Sequence, residues 1–351
     1  MCPTKFFVVL LAMLPALMTP GVNWAEETGN GPSPLIKNAE SCWSDDYASY
    51  AEWTSLMASR IAARNLPEKK AEKALAGFQR TFPEKTYEYF RTRIRCEHFT
   101  YSVDGIDVLG YLIRPANTQG RLPVVVYNRG GNGDFGAVTF TSMMRNLFPL
   151  ADQGFIVIGS QYRGTFAKAG AADVRAARDE FGGSDIHDVR QLFDLIPDIQ
   201  GADVERVGMW GHSRGGIQTF MTARTGVPAR ALVVAAGVAD LAAGLEERPD
   251  METVFRNRIP GYDDDKVAAL QRRSVLYWAE SLNREVPILL IHGSADDRVS
   301  VEQSRKLDQR LETLGFKHRL VEFEGDGHSF NKNRQAYIQA VADWFHQHLA
   351  P

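Results

Sequence analysis

The sequence predicts an α/β fold, a mostly parallel central sheet flanked by helices. Three observations carry that expectation. Short apolar runs recur at 124–127, 155–161, 207–210, 231–236, 288–292 and 319–323. Helical patterns stand between most of them, at 185–195, 215–224 and 301–314, and another at 334–349 closes the chain. The runs are largely apolar rather than alternating, as in strands buried on both faces. Helical crossovers between such strands build a sheet sandwiched by helices.

The 351 residues are 44% hydrophobic and 24% charged, ordinary values for a globular chain. A formal net charge of −3 leaves no basic footprint, so nucleic acid is not an expected partner. Neither His-Glu-x-x-His nor a Cys-x-x-Cys pair occurs, and no metal or cofactor is expected.

Lys5 precedes an apolar run over 6–18, and polar sequence resumes at Glu26 and Glu27. This reads as a secretory signal peptide over 1–25. The run is shorter than the roughly 20 apolar residues that a membrane span needs, and an uncleaved anchor is the alternative reading. The expectation is an exported protein, periplasmic or secreted, without stable membrane insertion after cleavage. Residues 26–38, rich in Gly, Pro, Ser and Asn, read as a flexible leader. From Ala39 to about Arg93 the pattern is helical: Trp43, Tyr47, Tyr50, Trp53, Leu56 and Met57 recur at spacings of three and four, followed by Leu75, Phe78 and Phe82. Such an aromatic stripe docks on a neighbouring core. The expected organisation is a leader and helical extension over 26–95, then the main domain over 96–351. Cys42 and Cys96, the pair left after signal removal, have two readings: a disulfide tying the extension to the main domain, or two buried thiols.

Inside the main domain, 98–103 and 108–114 read as paired strands around an Asp104-Gly105 turn. The strongest chemical signal follows the run 207–210. Gly211-His212-Ser213-Arg214-Gly215 stands between that strand and a helix, the context of the strained nucleophile elbow of an α/β-hydrolase fold. A serine hydroxyl at neutral pH needs a base, and the base an orienting carboxylate. The fold supplies them in the order serine, acid, histidine. The run 288–292 leads into Gly293-Ser294-Ala295-Asp296-Asp297, and 319–323 leads into a Gly-rich loop holding His328. Ser213, Asp296 and His328 are therefore the candidate triad, with Asp297 the main competitor for the acid and Asp240 a distant one. His212 and His292 read as supporting neighbours. The first oxyanion donor is expected from the backbone N–H of Arg214, the second from the loop Asn128-Arg129-Gly130-Gly131-Asn132. The stretch 242–265 reads either as a lid or wall of the site or as a surface excursion.

With these motifs in place, the chain over roughly 98–350 resembles the catalytic domain of the prolyl oligopeptidase family of serine peptidases. The resemblance rests on Gln161-Tyr162-Arg163-Gly164, on Asp179-Glu180-Phe181-Gly182-Gly183 before Asp185-Ile186-His187-Asp188, on Gly211-His212-Ser213-Arg214-Gly215-Gly216, on His292-Gly293-Ser294-Ala295-Asp296-Asp297-Arg298, and on Gly327-His328-Ser329-Phe330. It implies that the acid is the first aspartate after the His-Gly turn, Asp296. Two departures stand out. The long β-propeller usual in the family has no counterpart in the fewer than one hundred residues before the main domain. The family's oxyanion tyrosine is matched here by Arg129, with Tyr127 two residues earlier. Peptide cleavage is the expected activity. A carboxylesterase acting on small esters is the alternative, and a binding protein on an inactive scaffold a third reading.

Overall fold

The computed structural model describes residues 35–166 and 178–351. The expected signal peptide and most of the expected leader lie outside the described residues. In chain order the elements are β1 (Ile36–Ser41), α1 (Tyr50–Ala62), α2 (Glu68–Thr81), α3 (Glu84–Arg93), β2 (Ile94–Val103), β3 (Ile106–Pro115) and β4 (Leu122–Asn128). Next come α4 (Phe140–Ser142), one wide turn, α5 (Phe148–Ala151), β5 (Ile156–Ser160), α6 (Asp185–Leu195), β6 (Ala202–His212), α7 (Arg214–Arg224) and β7 (Ala231–Ala235). The rest are α8 (Leu241–Glu247), α9 (Met251–Arg258), α10 (Lys266–Gln271), β8 (Ile288–Gly293), α11 (Glu302–Thr313), β9 (His318–Phe323) and α12 (Arg334–His348).

The described strands form one sheet in the order β1-β2-β3-β5-β4-β6-β7-β8-β9. Pairing is parallel from β5 to β9, and β1, β2 and β3 extend it antiparallel. This is the mostly parallel sheet expected. Every residue of β5, β7 and β8 is buried, which is why those runs read as continuously apolar. Side chains alternate between two cores. Val125, Tyr127, Val157, Leu289 and Ile291 face one, and Val124, Val126, Ile158, Ile288 and Leu290 the other. The first core takes in α1–α3 and α12, the second α6 and α11. Asp104 and Gly105, at φ 51° and 75°, turn β2 into β3, as a two-residue hairpin loop requires.

The helical extension docks as its aromatic stripe implies. Trp53, Phe78, Phe82 and Tyr87 pack with Phe140 and Phe148 in the first core. Its start differs from expectation. Residues 36–41 form β1 rather than leader and helix, pairing Ile36 with Tyr101 and Ser41 with Glu97. The reason is local: Ile-Lys-Asn-Ala-Glu-Ser is almost wholly exposed, so no buried face marks its sequence as a strand. β2 begins at Ile94, so the boundary expected near residue 96 falls inside a strand. A disulfide joins Cys42 to Cys96 with a Cα–Cα distance of 5.3 Å, and the Cys42 N–H donates to the Cys96 carbonyl at 2.9 Å. The stretch 242–265 folds into most of α8, α9 and the turn after them. Leu245, Phe255, Ile259 and Tyr262 there, with Leu241 just ahead of the stretch, pack with Phe181 and Ile217 in a third, small core.

Candidate active site

Ser213 stands alone between the end of β6 and the start of α7, with φ 58° and ψ −126°. A non-glycine residue rarely adopts such a backbone, and it persists only where the surroundings over-determine it. Here the Ser213 N–H donates to the Ala235 carbonyl at 2.8 Å. The flanking glycines let the turn close. A Cβ on Gly211 would run into the Gly215 carbonyl oxygen, and one on Gly215 into the carbonyl oxygen of Asn128. The first-turn N–H of Arg214 has no acceptor within its helix, and the positive end of the α7 dipole lies there.

The loop after β8 carries the acid. Asp296 Oδ1 accepts from the N–H groups of Arg298 (2.9 Å) and Val299 (3.0 Å). Its Oδ2 lies 2.8 Å from His328 Nδ1 and 3.3 Å from His292 Nε2. Burial works to raise the pKa of Asp296, but the hydrogen bonds from His292 and His328 outweigh it and hold the carboxyl well below its usual range. Asp297 is exposed, and Asp240 caps α8 by accepting from the N–H of Ala242. Of the three candidate acids, Asp296 alone meets His328. His292 is fully buried and contacts Ser304 Oγ (2.7 Å) and the Val299 carbonyl (2.9 Å). It supports the acid loop, as its place beside the motif implied.

The loop after β9 carries the histidine. Fully buried Asp326 accepts from the N–H groups of Lys332 and Asn333 and from Asn333 Nδ2. Its own carbonyl accepts from the Ala295 N–H at 2.9 Å, tying this loop to the acid loop. Sequence reasoning missed Asp326; its signal was an acid between two glycines directly before the histidine. His212 donates from Nε2 to the His328 carbonyl at 2.9 Å, which links the turn of Ser213 to the loop of His328.

The candidate oxyanion residues separate. Gly130 packs on Ser213: a Cβ there would stand 3.0 Å from Ser213 Cβ and 3.6 Å from its Oγ. The Arg129 side chain does not reach the site. The residue is 1% exposed, and its guanidinium donates to the carbonyls of Gln161, Gly130 and Gly133 and to Thr165 Oγ1. The position that resemblance matched to an oxyanion tyrosine thus holds a loop brace, because a cation this buried needs every N–H satisfied. Tyr127 packs on Trp210 in the first core, ring centroids 4.8 Å apart. The Arg214 side chain is also buried, paired with Asp185 and with Asp179 (2.9 Å) and donating to the Gly131 carbonyl at 2.7 Å. Asp179 in turn accepts from the Gly133 N–H (2.7 Å) and from Arg258 of α9 (3.0 Å). The stretch 242–265 therefore braces the glycine loop through Arg258. Phe135, 61% exposed, stands on that loop with the Arg298 guanidinium 5.4 Å from its ring.

Comparison with known proteins finds peptidases. Over 231 residues the chain is 30% identical to Uncharacterized peptidase YtmA of Bacillus subtilis, covering 65% of this chain and 83% of that protein. It is 25% identical over 244 residues to Dipeptidyl-peptidase 5 of Porphyromonas gingivalis, covering 68% of this chain and 35% of that one. Among solved structures, a puromycin-hydrolyzing peptidase of Mycobacterium tuberculosis superposes with a TM-score of 0.62 at 25% identity, over 74% of this chain and 40% of that one. The acylaminoacyl peptidase of Pyrococcus horikoshii, at 21% identity and a TM-score of 0.60, shares the fold over 73% of this chain and 42% of its own. The chain thus spans less than half of the last three. The family model described as "Prolyl oligopeptidase family" matches residues 141–351, more than half of the length, and the chain belongs to that family of serine peptidases.

Proposed function

We propose that this chain cleaves peptide bonds by acyl transfer, with Ser213 as nucleophile, His328 as base and Asp296 as orienting acid. The observation that carries the reading is the 2.8 Å contact between His328 Nδ1 and Asp296 Oδ2, in a loop that the His212 Nε2 contact with the His328 carbonyl joins to the strand-to-helix turn where Ser213 is held at positive φ. Asp296 accepts a hydrogen bond from the Nδ1–H of His328, which leaves the unprotonated Nε2 to take the proton of Ser213 Oγ. The alkoxide attacks the scissile carbonyl, and the oxyanion forms beside the N–H groups of Arg214 and Gly130. His328 then gives its proton to the leaving amine, and water hydrolyses the acyl-enzyme by the same steps reversed.

Peptide rather than ester chemistry is supported by the family and by the names its relatives carry. Export is supported by the signal-like residues 1–25 and by the Cys42–Cys96 disulfide, which persists in oxidising compartments. The test is a rate comparison between the protein lacking residues 1–25 and its Ser213→Ala variant. It uses a panel of peptide amides, proline-containing ones included, and a panel of short-acyl esters. Amide cleavage lost in Ser213→Ala is the expected result. Ester turnover without amide cleavage would replace the peptidase reading with an esterase, and equal rates in both proteins would remove Ser213 as the nucleophile.

A further inference from the structure

The loop beside Ser213 is held by an unusual set of groups. Four of its carbonyls turn toward two buried guanidiniums: Gly130 and Gly133 accept from Arg129 at 2.9 and 2.8 Å, Phe135 from Arg129 at 3.3 Å, and Gly131 from Arg214 at 2.7 Å. One peptide of the loop is set otherwise. The carbonyl of Arg129 accepts from the hydroxyl of Tyr162 at 3.1 Å. The described chain has no cis peptides, so the N–H of Gly130 points opposite to that carbonyl. No acceptor among the described residues takes this N–H, and Gly130 is the loop residue packed on Ser213. Tyr162 is itself fixed. It is 1% exposed, and the guanidiniums of Arg129 and Arg214 lie 4.8 and 5.1 Å from its ring centroid.

We propose that Tyr162 is a positioning residue that sets the second oxyanion donor: its hydroxyl fixes the Arg129–Gly130 peptide so that the Gly130 N–H faces the developing oxyanion. This rests on the acyl-transfer reading above. It gives the chain a tyrosine serving the oxyanion hole from outside, through a peptide, where the Arg129 side chain supplies no donor. A donor held in place before the reaction stabilises the transition state without reorganisation, and its loss appears in kcat rather than in substrate binding.

Tyr162→Phe keeps the ring under both guanidiniums and removes the hydroxyl alone. Ser213 phosphonylation by a fluorophosphonate needs the nucleophile and the oxyanion donors but no particular substrate. The expected result is a roughly 10- to 100-fold slower labelling rate, a matching fall in kcat on a cleaved peptide, and KM within about twofold. Labelling and kcat within twofold of the unmutated protein, or a loss carried by KM alone, would overturn the proposal. Unmutated protein that resists the label would overturn the serine-hydrolase reading and this one with it, whereas equal labelling of both proteins overturns only the role of Tyr162. A second measurement needs no variant. In a crystal structure of the unmutated protein with a peptide boronic acid on Ser213, a boronate oxygen should lie within hydrogen-bond reach of both Gly130 N and Arg214 N. An oxygen out of reach of Gly130 N sinks the proposal even if Tyr162→Phe does not fold.

Discussion

His212 donates its Nε2 proton to the carbonyl oxygen of His328 at 2.9 Å, and the two imidazole rings lie 5.0 Å apart. Burial first, and then the neighbouring charge of His328, push the pKa of His212 down to about 3. The His212 ring of this pair is thus kept neutral.

The neutral ring makes stability depend on acid. In the unfolded chain His212 binds its proton near pH 6.5, and in the folded one only near 3. Between those values the unfolded state holds more protons, so this contribution is complete above about pH 6.5 and is lost as pH falls. The slope from one such group is up to about 1.4 kcal/mol per pH unit. Urea unfolding at pH 7, 5 and 4 should show a shallower decline for His212→Gln, which keeps an N–H donor but does not titrate. Equal slopes in both proteins would mean that His212 is not the titrating group.

Asp296 and Asp297 are neighbours with unequal expected roles. Asp296→Asn removes the charge facing His328 Nδ1 and should lower kcat by about three to four orders of magnitude. Asp297→Asn changes an exposed side chain and should stay within a few-fold. Steady-state kinetics on one peptide substrate reads both, and a reversed ranking would exchange the two assignments.

The Cys42–Cys96 bridge closes a segment of sequence separation 54 and ties the chain ahead of α1 to β2. Reduction should add the mass of two hydrogens to the intact protein. The double variant Cys42→Ser/Cys96→Ser should lose about 2–5 kcal/mol of stability in chemical unfolding. Its kcat at low temperature should hold, because no candidate catalytic residue lies on the bridged segment.

Two helical glycines should respond oppositely to alanine. At Gly77, in α2, the nearest atom to a new Cβ is the flexible end of Arg80 at 3.9 Å. Gly77→Ala should therefore add about 0.5–1 kcal/mol of stability. At Gly215, in α7, a Cβ meets the backbone oxygen of Asn128, which cannot move without displacing β4. Gly215→Ala should abolish fluorophosphonate labelling and lower the melting temperature or prevent folding. Thermal melts of both variants give the comparison.

Much of this was legible in the sequence, for identifiable reasons. β5, β7 and β8 are buried on both faces, so apolar residues dominate their sequences. Ser213, Asp296 and His328 sit where strands end in Gly-containing turns, a pattern that chain order narrows to candidates, with the family resemblance implying Asp296 rather than Asp297. β1 was illegible because an edge strand holds on by backbone pairing and leaves its side chains in water. The brace of Arg129, Tyr162, Asp179 and Arg258 was illegible for another reason. Its partners are carbonyls and carboxylates from distant segments, and one residue's sequence does not say which carbonyl its guanidinium meets.

β4 lies between β5 and β6, although both follow it in the chain. A fragment starting at residue 141, where the family match begins, would keep β5 and β6 and lose the strand between them. Two rows of backbone N–H and C=O groups would then face each other across a slot roughly 10 Å wide, about two strand spacings. The same cut would remove Gly130 and its loop. Such a fragment could regain its sheet only by fragment complementation, taking back a separately supplied peptide that contains 122–136. The part of the chain that the family model matches is therefore not a part that can be excised whole.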